Sequence, residues 1–392
     1  MSERRPVRAG FPLIGGRDWP GGAHYLSNLL GSLQQHGSGA VEPVLLVGPD
    51  AAEEQVAALA PLVGGRVERL SGLEESRRAR RSASGLLLGI DSAAARACRV
   101  ARIDVAFEVA QFLGWRFPIP VVSWLPDFQH RHLPQMFPRF RWWRRELGFR
   151  MQVRCAARVL VSSESAAADV RRFYPTAAAR TRVARFAVLP PPPDPSDVRP
   201  RLHLPERFLA LPNQFWRHKN HRAVVEALAL LRLRGVHPVV AVTGSPRDAR
   251  FPGLHEELIA LVEQYGLAQQ FLSLGVVSHA DVMAIIRASI GLLNPSLFEG
   301  WSTTVEEAKA LGVPLLLSDL PVHREQATGT ARFFQPESVA DLADVLEEVW
   351  MAWPAGPRPG AEARAMLDAR SRREAFGRAV EAVLYEAAGD LR

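Results

Sequence analysis

Short, unbroken apolar runs set the first constraint on this chain. Val44-Leu45-Leu46-Val47, Val105–Phe107, Val121–Trp124 and Val159-Leu160-Val161 read as continuous rather than alternating strands. A strand with one face in water alternates apolar and polar residues, whereas a strand of a parallel sheet, covered on both faces, does not. Between the runs lie segments of helical period. Tyr25, Leu29, Leu30 and Leu33 share one face before a stop at His36-Gly37, and further segments cover Val56–Leu62, Gly85–Ala101 and about 141–157. Strand and helix in alternation predict a doubly wound α/β domain.

The pattern then breaks and starts again. Leu189-Pro190-Pro191-Pro192-Pro193-Asp194-Pro195 cannot continue a helix or a central strand and favours a stiff, extended connector. Beyond it, strands are predicted at Phe208–Leu211, Val239–Val242, Phe271–Leu274, Ile290–Leu293, Leu315–Leu317 and Phe333-Phe334. Helices are predicted between them and at Val339–Trp350. Phe376, Val380, Val383 and Leu384 mark a last helix long enough to cross back to the first half. The expected division is 1–189, 190–370 and a returning helix over 371–392. Two such domains place two sets of strand carboxyl ends where they can face across a cleft, a preferred ligand location.

A length of 392 residues suits two full cores. No run approaches the roughly 18 apolar residues of a membrane span. Met-Ser-Glu-Arg-Arg-Pro at the start lacks the apolar stretch of a secretory signal, so a cytoplasmic protein is expected. Cys98 and Cys155 lack metal-like spacing and are expected to be reduced. Net charge is +7 and the pI about 10.1, which invites a nucleic-acid reading. The excess is clustered arginine. Arg77–Arg81 is expected to be a solvated helix face. Arg139–Arg145 interleaves arginine with Trp142 and Trp143, which suits an anionic membrane surface or equally a helix packing its tryptophans inward.

The most informative stretch is Phe298-Glu299-Gly300-Trp301-Ser302-Thr303-Thr304-Val305-Glu306-Glu307-Ala308. It follows a strand that ends at Asn294-Pro295-Ser296 and leads into a helix stopped by Gly312-Val313-Pro314. A strand, a polar loop and a helix N-terminus form an anion site. Thr303-x-x-Glu306 and Thr304-x-x-Glu307 both fit a capping box. One glutamate is therefore spare; a phosphate would repel it, so it would meet a ribose or sugar hydroxyl. Glu299, ahead of the helix, is the second carboxylate.

Lys219 stands between a strand and a helix, as a phosphate-binding lysine does, with Arg217 close by and Asn220 able to cap that helix. An exposed basic loop fits the same residues. Gly21-Gly22, placed before the first helix, lets backbone approach a ligand or simply forms a turn. His130 and His132 follow Asp127 without a third ligand, so no metal is expected. Neither a P-loop nor a G-x-G-x-x-G fingerprint is present.

Taken together, the parts resemble the retaining glycosyltransferases of family four, which have the GT-B fold. Gly21-Gly22, Lys219-Asn220, Ser296-x-x-Glu299-Gly300 with Glu307-Ala308, and Leu311-Gly312-Val313-Pro314 carry the likeness, over most of the second half and more thinly the first. The resemblance implies a nucleotide-diphosphate sugar (UDP or GDP) held by the second domain and an acceptor held by the first. It gives Lys219 the diphosphate, Glu299 the sugar hydroxyls, Glu307 the ribose and leaves Glu306 to cap. His130 corresponds to the first-domain histidine near the sugar. Gly300, Trp301, Ser302, Thr303 and Thr304 would line the donor, and Thr243-Gly244 would approach the base. Two positions depart from the family: Asn213 stands where many members have arginine, with Arg217 as substitute, and Ser302 stands where glycine is usual.

The implied reaction is hexosyl transfer with retention, with no metal and no cofactor, onto a hydroxyl of a glycan or lipid-linked acceptor in polysaccharide biosynthesis. The protein would be cytoplasmic, touching the inner membrane face through Arg139–Arg145. Two other classes compete. A non-catalytic scaffold of the same fold would bind nucleotide sugar without acceptor-dependent release of nucleotide. A nucleic-acid-binding protein would bind DNA or RNA with steep salt dependence.

Overall fold

The computed structural model describes residues 5–13, 20–109, 111–192, 196–327 and 329–389. The chain divides into two compact units, one of Met1–Phe128, Arg139–Ala187 and Ser371–Arg392, the other of Gln129–Pro138 and Val188–Arg370. Each is an α/β unit built on an all-parallel sheet.

The first unit holds β1 (Val7–Pro12), β2 (Val41–Val47), β3 (Val67–Arg69), β4 (Val105–Val109), β5 (Val121–Trp124), β6 (Arg158–Val161) and β7 (Thr181–Val183), in the order β3-β2-β1-β4-β5-β6-β7. Its central strands are the apolar runs of the sequence, and β2, β4, β5 and β6 are almost wholly buried. The sequence pattern missed β3 and β7. Both are three-residue edge strands, partly exposed, and Val67-Glu68-Arg69 or Thr181-Arg182-Val183 has no apolar run to mark it.

The segment expected as one helix from Gly85 to Ala101 is two, Arg78–Leu87 and Ser92–Val100. Gly89 breaks it with φ of +77°, and the Asp91 carboxylate caps the second helix by accepting from the Ala94 amide at 3.0 Å. Arg81 departs from the expected solvated face. Its guanidinium donates to the buried Asp91 at 2.9 Å. The final helix is longer than its apolar face suggested, running Pro359–Gly389. From Ser371 onward it packs within the first unit, where Phe376 meets Tyr25 and Phe186. There Glu381 accepts the Ser38 and Ala40 amides at 2.8 and 3.1 Å.

The second unit holds β8 (Leu209–Pro212), β9 (Val240–Thr243), β10 (Phe271–Ser273), β11 (Gly291–Asn294), β12 (Leu315–Ser318) and β13 (Ala331–Phe334), in the order β10-β9-β8-β11-β12-β13. Alternate residues feed two separate cores. Leu209, Leu211, Val240, Val242 and Leu293 join one with the helices His221–Leu233 and Val339–Ala352. Ala210, Ala241 and Leu292 join the other with Ile285 and Val305. Both faces are therefore dry, which is why the strands read as continuous apolar runs. Winding reverses between the neighbours β8 and β11, and in such sheets ligands bind outside the carboxyl ends at that switch point.

Candidate functional site

Four strand ends of the second unit converge at this edge: Pro212 of β8, Thr243 of β9, Asn294 of β11 and Ser318 of β12. Their loops are tied to one another. The Leu297 amide donates to the His218 carbonyl at 2.8 Å, and the Ser318 hydroxyl donates to the Ser296 carbonyl at 2.6 Å. The Phe215 amide donates to the Ser245 carbonyl at 3.1 Å, and the Ser245 amide donates to Gln214 Oε1 at 2.6 Å. Gly244 makes that last approach possible. Its φ is +140°, and a Cβ there would run into the Asn213 carbonyl.

At the centre lies an ion pair. Lys219 Nζ stands 2.6 Å from Glu299 Oε1, and the two side chains are only 13% and 9% exposed. The chain places Lys219 at the end of a short 3-10 turn (Arg217–Lys219), just ahead of Asn220 in the left-handed region at φ +56°. Asn220 does not cap the following helix as expected. Its side-chain amide turns away to the Pro336 carbonyl at 3.1 Å.

Burial pushes the Glu299 carboxyl upward, but the Lys219 ammonium and the nearby His323 outweigh it and hold the group down at about 2. Glu299 therefore stays ionised in a place where a lone carboxylate would protonate. The Ser296 hydroxyl stands 2.7 Å from both Glu299 Oε1 and Asn294 Oδ1, with one proton to give. His323 is fully buried. Its Nδ1 is 2.8 Å from the Ser318 carbonyl, so Nδ1 carries the proton, and burial lowers the pKa of the ring. Burial, with Lys219 close by, likewise pushes His221 down to about 3. Of the two, His221 is thus kept neutral beside Lys219.

The helix Thr303–Ala310 starts beside this pair, and its cap corrects the expected capping box. The N-cap is Ser302, with backbone in the extended region and Oγ accepting from the Val305 amide at 3.5 Å. With the cap at Ser302, neither Thr303 nor Thr304 can pair with a glutamate three residues on. Ser302 is held from three sides. Gln326 accepts its amide at 2.9 Å and donates to its carbonyl at 3.0 Å, while the Asn294 amide donates to its hydroxyl at 2.9 Å. Serine at this position, where glycine was expected, thus acts as the cap and ties the helix to the end of β11. The first-turn amides of Thr303 and Thr304 have no acceptor inside the helix.

Glu306 does not cap either. It is buried, receives Lys309 Nζ at 2.8 Å and Gln326 Nε2 at 3.2 Å, and so fixes the helix from inside. Glu307 is also buried, and its Oε1 lies 2.8 Å from His279 Nε2. The hydrogen bond to Glu307 raises the His279 pKa against the opposing effect of burial.

Other predicted site residues fall as follows. Asn213 is buried at the switch point, its amide 3.5 Å from Asn294 Oδ1. The exposed Arg217 lays its guanidinium over the Phe251 ring at 4.7 Å. Trp301 lies 6.0 Å from Lys309 Nζ, and Thr243 is buried at the end of β9. Gly21 and Gly22, expected before the first helix, are inside its first turn, Pro20–His36; Gly15-Gly16 upstream lies outside the described residues.

His130 was expected in the first domain. The segment Gln129–Pro138 instead belongs to the second unit. Arg250 holds it there, donating to Gln129 Oε1 at 3.2 Å and covering Phe137 at 5.4 Å. His132 stacks on Phe298 at 4.9 Å, next to Glu299, while His130 is fully buried. Among the described residues, no group of three His, Cys, Asp or Glu side chains comes together to hold a metal.

Sequence reading missed His279, Asn294, His323 and Gln326. Only His323-x-x-Gln326 left a signal: two polar side chains at helical spacing shortly after the carboxyl end of β12.

Solved structures share this fold over nearly the whole chain. HepE of Anabaena in complex with UDP and glucose is 16% identical with a TM-score of 0.65, covering 98% of this chain and 99% of that one. Sucrose-phosphate synthase of Thermosynechococcus elongatus is 16% identical with a TM-score of 0.67, covering 98% of each. WaaG, a glycosyltransferase involved in lipopolysaccharide biosynthesis, is 15% identical with a TM-score of 0.59, covering 96% and 98%. The architecture is that of the GT-B glycosyltransferases. Residues 198–366, within the second unit, match the family Glycosyl transferases group 1. Family and fold together support glycosyl transfer from a nucleotide sugar. No curated protein matches the sequence.

Proposed function

We propose that the protein moves a hexosyl group from a nucleoside diphosphate sugar to a hydroxyl of a glycan or lipid-linked acceptor, with retention of anomeric configuration. The observation that carries this reading is the Lys219–Glu299 pair beside the N-terminus of the Thr303–Ala310 helix, at the switch point of the sheet. A diphosphate there meets one buried ammonium and the Thr303 and Thr304 amides. Taking a share of Lys219, it releases Glu299 to accept hydroxyls of the sugar. Glu307, fixed through one oxygen by His279, has the other for the ribose hydroxyls.

The leaving diphosphate gathers charge as the glycosidic bond breaks, and fixed positive groups aimed at it lower the barrier. In this reading lysine and helix amides do that work without a metal or cofactor. No carboxylate is assigned as nucleophile, because Glu299 is given to the sugar hydroxyls and Glu307 to the ribose; the acceptor attacks from the face the diphosphate leaves. The UDP held by HepE of Anabaena favours uridine over guanosine as the base. Arg217 is assigned to the diphosphate in place of the arginine that Asn213 replaces, and it would leave Phe251 to reach it. His130, buried in the Gln129–Pro138 segment, is assigned a supporting place near the sugar.

Cys98 and Cys155 are free, which fits a cytoplasmic location. Among the described residues no helix is long and apolar enough to cross a membrane. A lipid-linked acceptor would bring the protein to the inner membrane face, with Arg139–Arg145 as the contact. A thermal-shift panel of nucleoside diphosphate sugars tests the donor assignment. A ligand of the folded state raises the melting temperature, so at least one uridine diphosphate sugar is expected to do so. Absence of any shift across the panel would sink the reading.

A further inference from the structure

The helix Arg139–Cys155 in the first unit is apolar on two opposite sides. One side is core: Phe149 and Val153 are buried with Leu125, Phe128 and Val159. On the other, Phe140, Trp143 and Leu147 are 67%, 61% and 52% exposed. At 3.6 residues per turn these three fall within an arc of about 60° on the outer face, with Met151 continuing it. Arginines border the arc: Arg139 and Arg150 along one side, Arg141 and Arg144 along the other, and Arg154 at the far end, all exposed. The helix carries six arginines and one acid, Glu146, which is buried and takes Arg150 at 2.6 Å and the Tyr174 hydroxyl at 2.8 Å. At the helix end, Arg154 lines an open groove of about 440 Å³ together with Trp115, itself 49% exposed.

From this we infer that the outer face of the Arg139–Cys155 helix docks on an anionic lipid bilayer. The helix would lie flat, with Phe140, Trp143 and Leu147 below the headgroups and the flanking arginines on lipid phosphates. Charge selects this occupant over a second copy of the chain. A twofold contact would set five exposed arginines against five more around a small apolar strip. An anionic bilayer accepts both the strip and the charge, and long arginine stems let the guanidinium reach phosphate while the aromatic goes deeper.

The inference deepens the acceptor side of the proposed function. Because vesicle binding is measured without donor or acceptor, its failure would leave the donor site untouched. The test is sedimentation of the full chain with vesicles of phosphatidylcholine alone or with roughly one third phosphatidylglycerol. The wild type is compared with Arg141→Glu/Arg144→Glu and with Phe140→Ala/Trp143→Ala, all exposed positions whose folding is verified by melting temperature. The expected result is binding to the anionic vesicles only, weakened by salt. Each lost arginine is expected to cost about fivefold, so charge reversal weakens binding by more than about twenty-fivefold. The aromatic variant should also lose binding. Absence of the wild type from the anionic pellet at low salt would overturn the inference. So would equal pelleting of wild type and both variants, or a change of oligomeric state in place of vesicle binding.

Discussion

Replacing Lys219 by methionine keeps the stem of the side chain and removes its charge. In the folded protein Glu299 is held at about 2 against an ordinary 4.5: burial pushes it up, and Lys219 with His323 more than offsets this. At 1.36 kcal/mol per pKa unit this corresponds to roughly 3 kcal/mol of stability at neutral pH. A carboxyl with a depressed folded value contributes fully above its unfolded value and loses that contribution as pH falls through the folded one. The wild type should therefore weaken between about pH 5 and pH 2 on account of this group. Lys219→Met should lose about 2–4 kcal/mol at pH 7, since removing one partner strands a buried charge, and the gap should narrow in acid, where Glu299 can protonate. Urea unfolding at pH about 7 and about 3.5 reads both effects. The double variant Lys219→Met/Glu299→Gln removes both charges and should recover most of the stability. Its turnover should still be down by on the order of a hundred- to a thousandfold, the usual loss when one positive group is removed from a developing anion. A Lys219→Met protein as stable as wild type at pH 7 would refute the buried pair. A double variant with normal turnover would refute its part in transfer.

Substitutions at three further positions test the surroundings. Because Glu307 raises the His279 pKa, the pair contributes stability below the ordinary 6.5 that is lost as pH rises through the folded value; the melting-temperature gap between wild type and His279→Ala should be larger at pH about 6 than at about 9, and a gap that grows with pH would contradict the pairing. Ser302→Ala removes a helix cap and the acceptor for Asn294, so a loss of about 1–2 kcal/mol in denaturant unfolding is expected; Ser302→Gly should lose nearly as much, whereas a capping role without the Asn294 contact would make glycine nearly neutral. Gly244→Ala forces a side chain into a left-handed backbone against the Asn213 carbonyl and should lose at least about 1–3 kcal/mol; an unchanged melting temperature would mean the β8 and β9 loops are not packed as described.

Both sheets were legible in the sequence wherever strands were central. Leu209–Leu211 and Val240–Val242 send alternate side chains into two dry cores, so nothing polar interrupts the run. Edge strands β3 and β7 bury too little to leave that mark. The stretch Phe298–Ala308 also announced itself, since a strand, a loop and a helix with two glutamates survive as a local pattern. What spacing could not decide was which hydroxyl caps the helix. Ser302, Thr303 and Thr304 are adjacent and chemically alike, and the choice falls to Ser302 because Gln326 and Asn294, 24 and 8 residues away, hold it. His279 was invisible for the same reason, being 28 residues from the Glu307 it contacts. The placing of Gln129–Pro138 with the second unit depends on Arg250, 121 residues from Gln129, and no local period encodes such a contact.

Lys219 and the groups around it are proposed to drive transfer from a nucleoside diphosphate sugar. This is tested most directly by incubating the protein with a donor sugar identified by thermal shift and with glycan or lipid-linked acceptors, and following nucleoside diphosphate release together with the anomeric proton of the product by NMR. The expected result is release that depends on acceptor, a product with the anomeric configuration of the donor, and the loss of both in Lys219→Met/Glu299→Gln. Donor binding without acceptor-dependent release for any acceptor, or a product of inverted configuration, would contradict it.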